Sequence, residues 1–494
     1  MTSEKPSTSV FKIRTLTGKW WIPGSEHHCY GTLTFDISGE QHLKIIGFLE
    51  GKYPGVLQKY EVLHGLCRLD NKIYRVTLFN AWHTNLSGST LDGHEICENI
   101  IEFQNLWLGT RFYDKQEDVK FASFSFGIHN LENWQDARTV FSPDINESPA
   151  KTTITMALPS NIKLFEDKNV TIELTYICHL PGSCLGQLST SMSYCPIISI
   201  DSKNDLLPYY GEKASFEYYW YCVYKFFELL LDGYAYFFNL QGFGIIPEIS
   251  IMQEKMELIF SRNIKSKQRK HIMPYQILMP YDKIKGVIFE AITNFIEYQK
   301  DIAGILENLF TFTTTNTYHT NPLPSLLFAL EGLQRTFYKK FGESSSDENR
   351  ADYADFESKK CAIISCCPKD IHSFVKQKLI WQVPFQKRLC RMIKEYKAVF
   401  PIISDDVCEK LSKELKDIRN QSAHCDDREK VSWDAVFRLT RFVEYLHYAI
   451  ILHNCGIPQE TIKSCFEECQ QSNYGLVVDF ISKRYAGMET KNRQ

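Results

Sequence analysis

No run of this 494-residue chain is apolar for long enough to span a bilayer. The most apolar stretch, Tyr218 to Phe238, is broken by Lys225, Glu228 and Asp232, which lie three and four residues apart on one helical face. That spacing predicts an amphipathic core helix and no membrane partner. Met1 to Arg14 is polar and lacks an apolar core, so no secretory signal is expected. Neither sign of charge dominates: 56 Lys and Arg against 59 Asp and Glu give a net charge of −3. Any grip on nucleic acid must therefore come from a local basic patch, not from a global field. Paired cysteines at zinc-site spacing are also missing. Cys366 and Cys367 are adjacent, Cys465 and Cys469 are four apart, and the His27-His28-Cys29 cluster has no second ligand pair. The 16 cysteines are expected to be structural thiols, with no metal or other cofactor, in a reducing and hence cytoplasmic compartment.

The chain does have two unlike halves. In the first 200 residues, short stretches alternate with period two: Leu33, Phe35 and Ile37; Tyr74, Val76 and Leu78; Phe124, Phe126 and Ile128; Val170, Ile172, Leu174 and Tyr176. Turn chemistry separates them at Ser38-Gly39, Asp70-Asn71, Asp92-Gly93 and Pro181-Gly182. Trp20, Trp21 and Trp134 are expected in the core, and Arg262 to His271 reads as a solvated basic loop. From Tyr281 onward the period is helical. Helices are expected over Ile284–Phe312, Ser325–Phe341 (ended by Gly342), Lys376–Phe400, Ser404–Ala423 and Ser432–Asn454, and the acidic, Ser-rich Glu343–Glu357 reads as a mobile insertion. The fold class is α+β multidomain: a β-rich domain over 1–280, sandwich-like or a curled sheet, followed by an all-α bundle over 281–494.

One constellation suits chemistry. Arg419-Asn420-Gln421-Ser422-Ala423-His424 closes a helix that Ser404 can cap and that Asp405 and Asp406 favour electrostatically. Val407, Leu411, Leu415 and Ile418 form its apolar stripe. RNA can be cut without a metal if a histidine moves protons at the 2′-hydroxyl or the 5′-oxygen. A guanidinium then steadies the phosphoryl oxygens of the transition state. With 17 arginines and 14 histidines, roughly half an Arg-x4-His match is expected by chance, so the pattern alone carries little weight. Five residues of ideal helix also turn through about 140°. Arg419 and His424 then share a face only if the helix ends between them, or if two protomers meet. Arg441 and His447 look like a decoy pair on a solvated helix flank.

Read together, these blocks resemble a known family. Arg419 to His424 resembles the HEPN signature, and Phe328 to Arg335 resembles the first HEPN helix, which commonly bears an acidic residue. Gly18-Lys19-Trp20-Trp21-Ile22-Pro23-Gly24, Gly31 to Phe35, Leu43 to Leu49 and Leu131-Glu132-Asn133-Trp134 resemble blocks of the ApeA-type anti-phage proteins. The resemblance implies a β-rich N-terminal domain that senses a phage-derived cue and a HEPN ribonuclease domain acting as a homodimer. It implies Arg419 and His424 as catalytic residues, with Asn420 beside them. Glu331 is a weaker match, since an ion pair with Arg335 one turn on explains it equally well. Asp417 is the other supporting candidate, although a solvated helix charge is the simpler account of it. The implied substrate is RNA, such as a tRNA loop, cut to a 2′,3′-cyclic phosphate and a 5′-hydroxyl. The competing expectation is a non-catalytic HEPN sensor or scaffold that binds a phage or host partner through its β-rich domain.

Overall fold

The computed structural model describes residues 14–486 except 36–40, 51–56, 70–71, 92–93, 136–140, 146–151, 157–158, 180–192, 204–205, 212–213, 234, 247–253, 261–271, 315–321, 340–348, 402, 425–431 and 471. The expected turns, the basic loop at 262–271 and Gly342 lie outside the described residues. Contacts divide the chain into two units. One comprises Met1–Glu228 and Tyr234–Ile272; the other comprises Leu229–Gly233 and Met273–Gln494.

Six strands begin the first unit: β1 (Arg14–Trp21), β2 (Cys29–Phe35), β3 (Gln41–Ile46), β4 (Lys59–Leu69), β5 (Lys72–Leu91) and β6 (His94–Gly109). They pair antiparallel in the order β3, β2, β1, β4, β5, β6, and β6 pairs back with β3. The curled sheet therefore closes into a barrel. Period-two alternation sends Leu16, Trp20, Leu33, Leu43, Leu63, Val76, Leu78, Ile101 and Phe103 into its core. Two glycines let that core close around Trp20, which is fully buried. A Cβ on Gly65 would lie 2.5 Å from the Trp20 ring, and one on Gly18 would lie 2.2 Å from the Leu66 carbonyl oxygen. The Trp20 indole donates to the Gly31 carbonyl at 3.3 Å. Trp134 is also core, whereas Trp21 is only half-buried, edge-on to Phe112.

β6 is long enough to serve two neighbours on one edge. Residues 98–101 pair with β3, and residues 105–108 pair with the strand Glu254–Phe260. Through that strand the sheet continues into Tyr236–Ile246, Ser123–His129, Ser193–Ser202, Val170–His179 and Ile162–Glu166. Two helices belong here, α1 (Leu131–Trp134) and α2 (Phe216–Leu230), and Phe216, Trp220 and Phe227 of α2 meet Phe124, Phe126 and Trp134. α2 ends at Leu230, before the expected Phe238, because Asp232 and Gly233 take positive φ and break it.

The second unit is helical: α3 (Tyr281–Ile284), α4 (Ile288–Thr314), α5 (Leu323–Phe337), α6 (Arg350–Cys366), α7 (His372–Lys378), α8 (Phe385–Glu395), α9 (Asp405–His424), α10 (Trp433–Asn454), α11 (Gln459–Glu468) and α12 (Tyr474–Ala486). α10 runs through the core, with Leu439, Phe442, Val443, Leu446, Ala449 and Ile450 fully buried. Three expectations fail locally. The helix expected over Lys376–Phe400 is interrupted, because Pro384 cannot continue a helix and instead starts α8 from an extended conformation. The second half of the expected mobile insertion, from Arg350, forms the start of α6. Finally, Arg441 and His447 are not solvated flank residues. His447 is completely buried, and Arg441 pairs with Glu444 at 2.6 Å and Asp232 at 3.8 Å. From Leu439 to Leu452 their helix is buried on nearly every side, so no solvated flank exists there. No helix among the described residues is long and apolar enough to cross a membrane.

Candidate active site

α9 positions Arg419. Ser404 caps the helix by accepting from the Val407 amide at 3.3 Å, and Asp405 and Asp406 occupy its first turn. Val407, Leu411, Leu415 and Ile418 are buried, so the stripe read from the sequence fixes how α9 is rotated. That rotation puts Arg419 just off the buried face, with its side chain 22% exposed.

Around the Arg419 guanidinium, α5 and α8 each supply an aromatic ring. Its carbon lies 4.8 Å from the centroid of Phe328 and 4.8 Å from that of Phe385. A cation held between two rings is attracted to both π faces while its N–H edges stay available for oxygens. One edge is taken, since Nη2 donates to Glu331 Oε2 at 2.6 Å. Nη1 lies 3.4 Å from Asn420 Oδ1, and Nε is buried without a hydrogen-bond partner among the described residues.

Glu331 does not pair with Arg335 as an isolated helix would have it. Its other oxygen, Oε1, accepts from Arg388 Nη2 of α8 at 3.0 Å. Arg388 is itself locked in place: Nη1 donates to Gln334 Oε1 at 2.5 Å and Nε to the Val383 carbonyl at 3.0 Å. Gln334 in turn donates to the Tyr338 carbonyl at 2.9 Å. Two arginines thus share one carboxylate on a face walled by two phenylalanines. All of these groups come from one unit.

Of the other residues singled out by sequence, Asn420 is exposed beside Arg419. Asp417 is partly exposed and paired with its neighbour Lys416 at 3.0 Å. His424 is the last residue of α9 by backbone, and its side chain lies outside the described residues. The helix runs unbroken from Arg419 to His424, so the helix break considered as a way to align the two is absent. Sequence reasoning missed Arg388, Phe385 and Phe328. Phe328 and Glu331 are three apart on one helix, a signal that was available. Arg388 and Phe385 could be found only by recognising Pro384 as a helix start.

Residues 15–295 match the family model described as ApeA N-terminal domain 1, and residues 325–461 match Apea-like HEPN. The first match alone covers more than half of the chain. The chain belongs to the ApeA family. Neither a curated protein nor a solved structure matches it. The ApeA-like HEPN segment contains all but the first two residues of α5 and the whole of α8, α9 and α10, and with them every residue of the arginine cluster. The ApeA N-terminal match runs past the barrel and its extended sheet into α3 and the start of α4. Beyond the HEPN match, α12 braces α9. Arg484 grips Glu414 at 2.7 and 3.1 Å, and the Tyr485 hydroxyl donates to the same carboxylate at 2.6 Å. This gives the tail a place in the ApeA helical unit that its sequence did not suggest. Among the described residues, no group of three His, Cys, Asp or Glu side chains is placed to hold a metal ion, and the cysteines are free thiols.

Proposed function

We propose that this ApeA-family chain is a metal-independent endoribonuclease that acts as an anti-phage effector and halts growth of the infected cell. The observation that carries this reading is the Arg419 guanidinium, pinned between Phe328 and Phe385, with Nη1 on its partly exposed side held only by a long 3.4 Å contact to Asn420. A preorganised guanidinium loses little on binding a phosphodiester and donates to the oxygens where charge builds up. His424, five residues on at the helix end, acts as general acid or base. Asn420 orients a phosphate or the imidazole. The helix turns through about 140° between Arg419 and His424, which favours a homodimer whose two motifs face one cleft. The barrel domain senses a phage-derived trigger, the substrate is a structured RNA such as a tRNA loop, and the compartment is the cytoplasm.

The test is to incubate total RNA with the activated protein in EDTA, alongside His424→Ala and Arg419→Lys. Cleavage to 2′,3′-cyclic phosphate ends is expected from the parent and not from His424→Ala. Arg419→Lys keeps a charge but loses the planar fork, and its rate should fall on the order of a hundredfold or more. Activity that EDTA removes, or that His424→Ala retains, sinks the proposal. A second reading, a non-catalytic HEPN scaffold, draws on the Arg419–Glu331 pair, which a purely structural ion pair would also form. Phage protection that survives Arg419→Ala would favour it.

A further inference from the structure

Glu331 is shared, and the sharing has an electrostatic consequence. Each of its oxygens serves a different arginine: Oε1 takes Arg388 at 3.0 Å and Oε2 takes Arg419 at 2.6 Å. All three side chains are largely shielded, 18%, 22% and 15% exposed for Arg388, Arg419 and Glu331, so their mutual charges are only partly screened by water. Two cations and one anion leave a surplus of one positive charge. A lone Arg419–Glu331 pair would have none. Its carboxylate could turn both oxygens onto the guanidinium, the fork-to-fork arrangement in which such pairs are strongest. A phosphodiester would then have to displace a carboxylate before it could bind.

We propose that Arg388 is a positioning residue of this site: by holding one oxygen of Glu331 it keeps that carboxylate from neutralising Arg419, and so leaves Arg419 free to take a phosphate of the RNA backbone. The geometry suits this role better than direct contact. Each of the three Arg388 nitrogens already makes a bond, to the Val383 carbonyl, Gln334 and Glu331. Arg419 spends one well-formed bond on Glu331, and its Nη1 makes only a long contact of 3.4 Å to the exposed Asn420. Arg388 therefore acts through Glu331, and its importance depends on the charge there. The inference rests on the ribonuclease reading above.

The experiment is a double-mutant cycle on the full chain in a His424→Ala background, with a short mixed-sequence single-stranded RNA as probe and affinity measured across a salt series. Arg388→Gln should weaken binding about tenfold, the scale of losing one charge-assisted interaction. It should also lower the salt slope by roughly 0.7, the value for one single-strand phosphate contact. In a Glu331→Gln background Arg419 has no carboxylate to be neutralised by, so removing Arg388 should cost less than about threefold. Thermal unfolding of each variant monitors folding. If Arg388→Gln alone fails to fold, Arg388→Met, which keeps the apolar stem, takes its place in the cycle. An equal loss in both backgrounds overturns the proposal, because Arg388 would then be touching RNA or merely supporting the fold. No loss in either background overturns it as well. Failure of the ribonuclease reading looks different: Arg419→Ala in the same background would then leave RNA binding unchanged, and the inference would fall with it.

Discussion

His447 is completely buried in α10, with Nδ1 2.7 Å from the Val443 carbonyl and Nε2 without a hydrogen-bond partner among the described residues. The carbonyl fixes the tautomer, since Nδ1 must carry the proton it donates. Burial pushes its pKa down from 6.5 to about 4, against a smaller upward pull from the Val443 carbonyl. The sign follows from proton counting. Between those two values the unfolded chain binds more protons than the folded one, so this contribution is fully present above pH 6.5 and is lost as the pH falls towards 4. The loss should be about 3 kcal/mol over that range. Glu444, whose carboxyl is raised by burial despite Arg441, acts in the opposite sense as the pH rises through its range. Denaturant unfolding of the parent and of His447→Gln across this range isolates the histidine. The parent should steepen towards acid relative to the variant, and parallel profiles would refute the assignment. The sequence could not announce this residue. His447 and Arg441 are polar residues on a helix, and their burial depends on what packs around α10.

At the level of elements, α9 was legible because its signals are local. A capping serine, two acidic residues in the first turn and an apolar stripe all lie within twenty residues, and each reports on the same helix. Ser404→Ala removes the acceptor for the Val407 amide and should cost the helical unit about 1 kcal/mol, seen as a lower unfolding midpoint with an unchanged denaturant slope. No change in midpoint would show that the cap is satisfied by other means. The stretch from 376 to 400 was less legible. Its apolar spacing suits one long helix, and only Pro384 contradicts that. The consequence is functional, since the restart at Pro384 sets the phase of α8 and brings Phe385 and Arg388 to the same patch as Arg419. The β strands were readable as half-buried strands from their alternation. Their register, which sets Leu69 against Lys72 and Leu91 against His94, was not.

Over the whole molecule, the sequence suggests a boundary at residue 280, whereas the contacts assign Leu229–Gly233 to the helical unit. The reason is Asp232. It accepts from the Tyr448 hydroxyl at 2.8 Å and faces Arg441, both on α10. Nothing in a linear scan ties a residue to partners more than two hundred positions away. A helical unit cut at 281 would leave Tyr448 and Arg441 without this carboxylate. Asp232→Ala in the full chain reproduces that loss and should destabilise the helical unit by about 1.5–3 kcal/mol. Hydrogen exchange of the α10 amides reports it, and unaltered protection would show that Asp232 is dispensable.

Taken by itself, the sequence determined what depends on neighbours along the chain: strand and helix periods, the α9 cap and stripe, the order of the family blocks, and Arg419 as the residue to watch. Tertiary structure alone decided what depends on distant partners. It closed the curled sheet into a barrel through the β3–β6 and β1–β4 pairings. It buried Arg441 and His447, and it gave Glu331 two arginines where the sequence offered one on its own helix. The physical reason is the same in each case. Hydrogen-bond register and side-chain charge pairing are settled by which elements meet, and that depends on how the whole core packs.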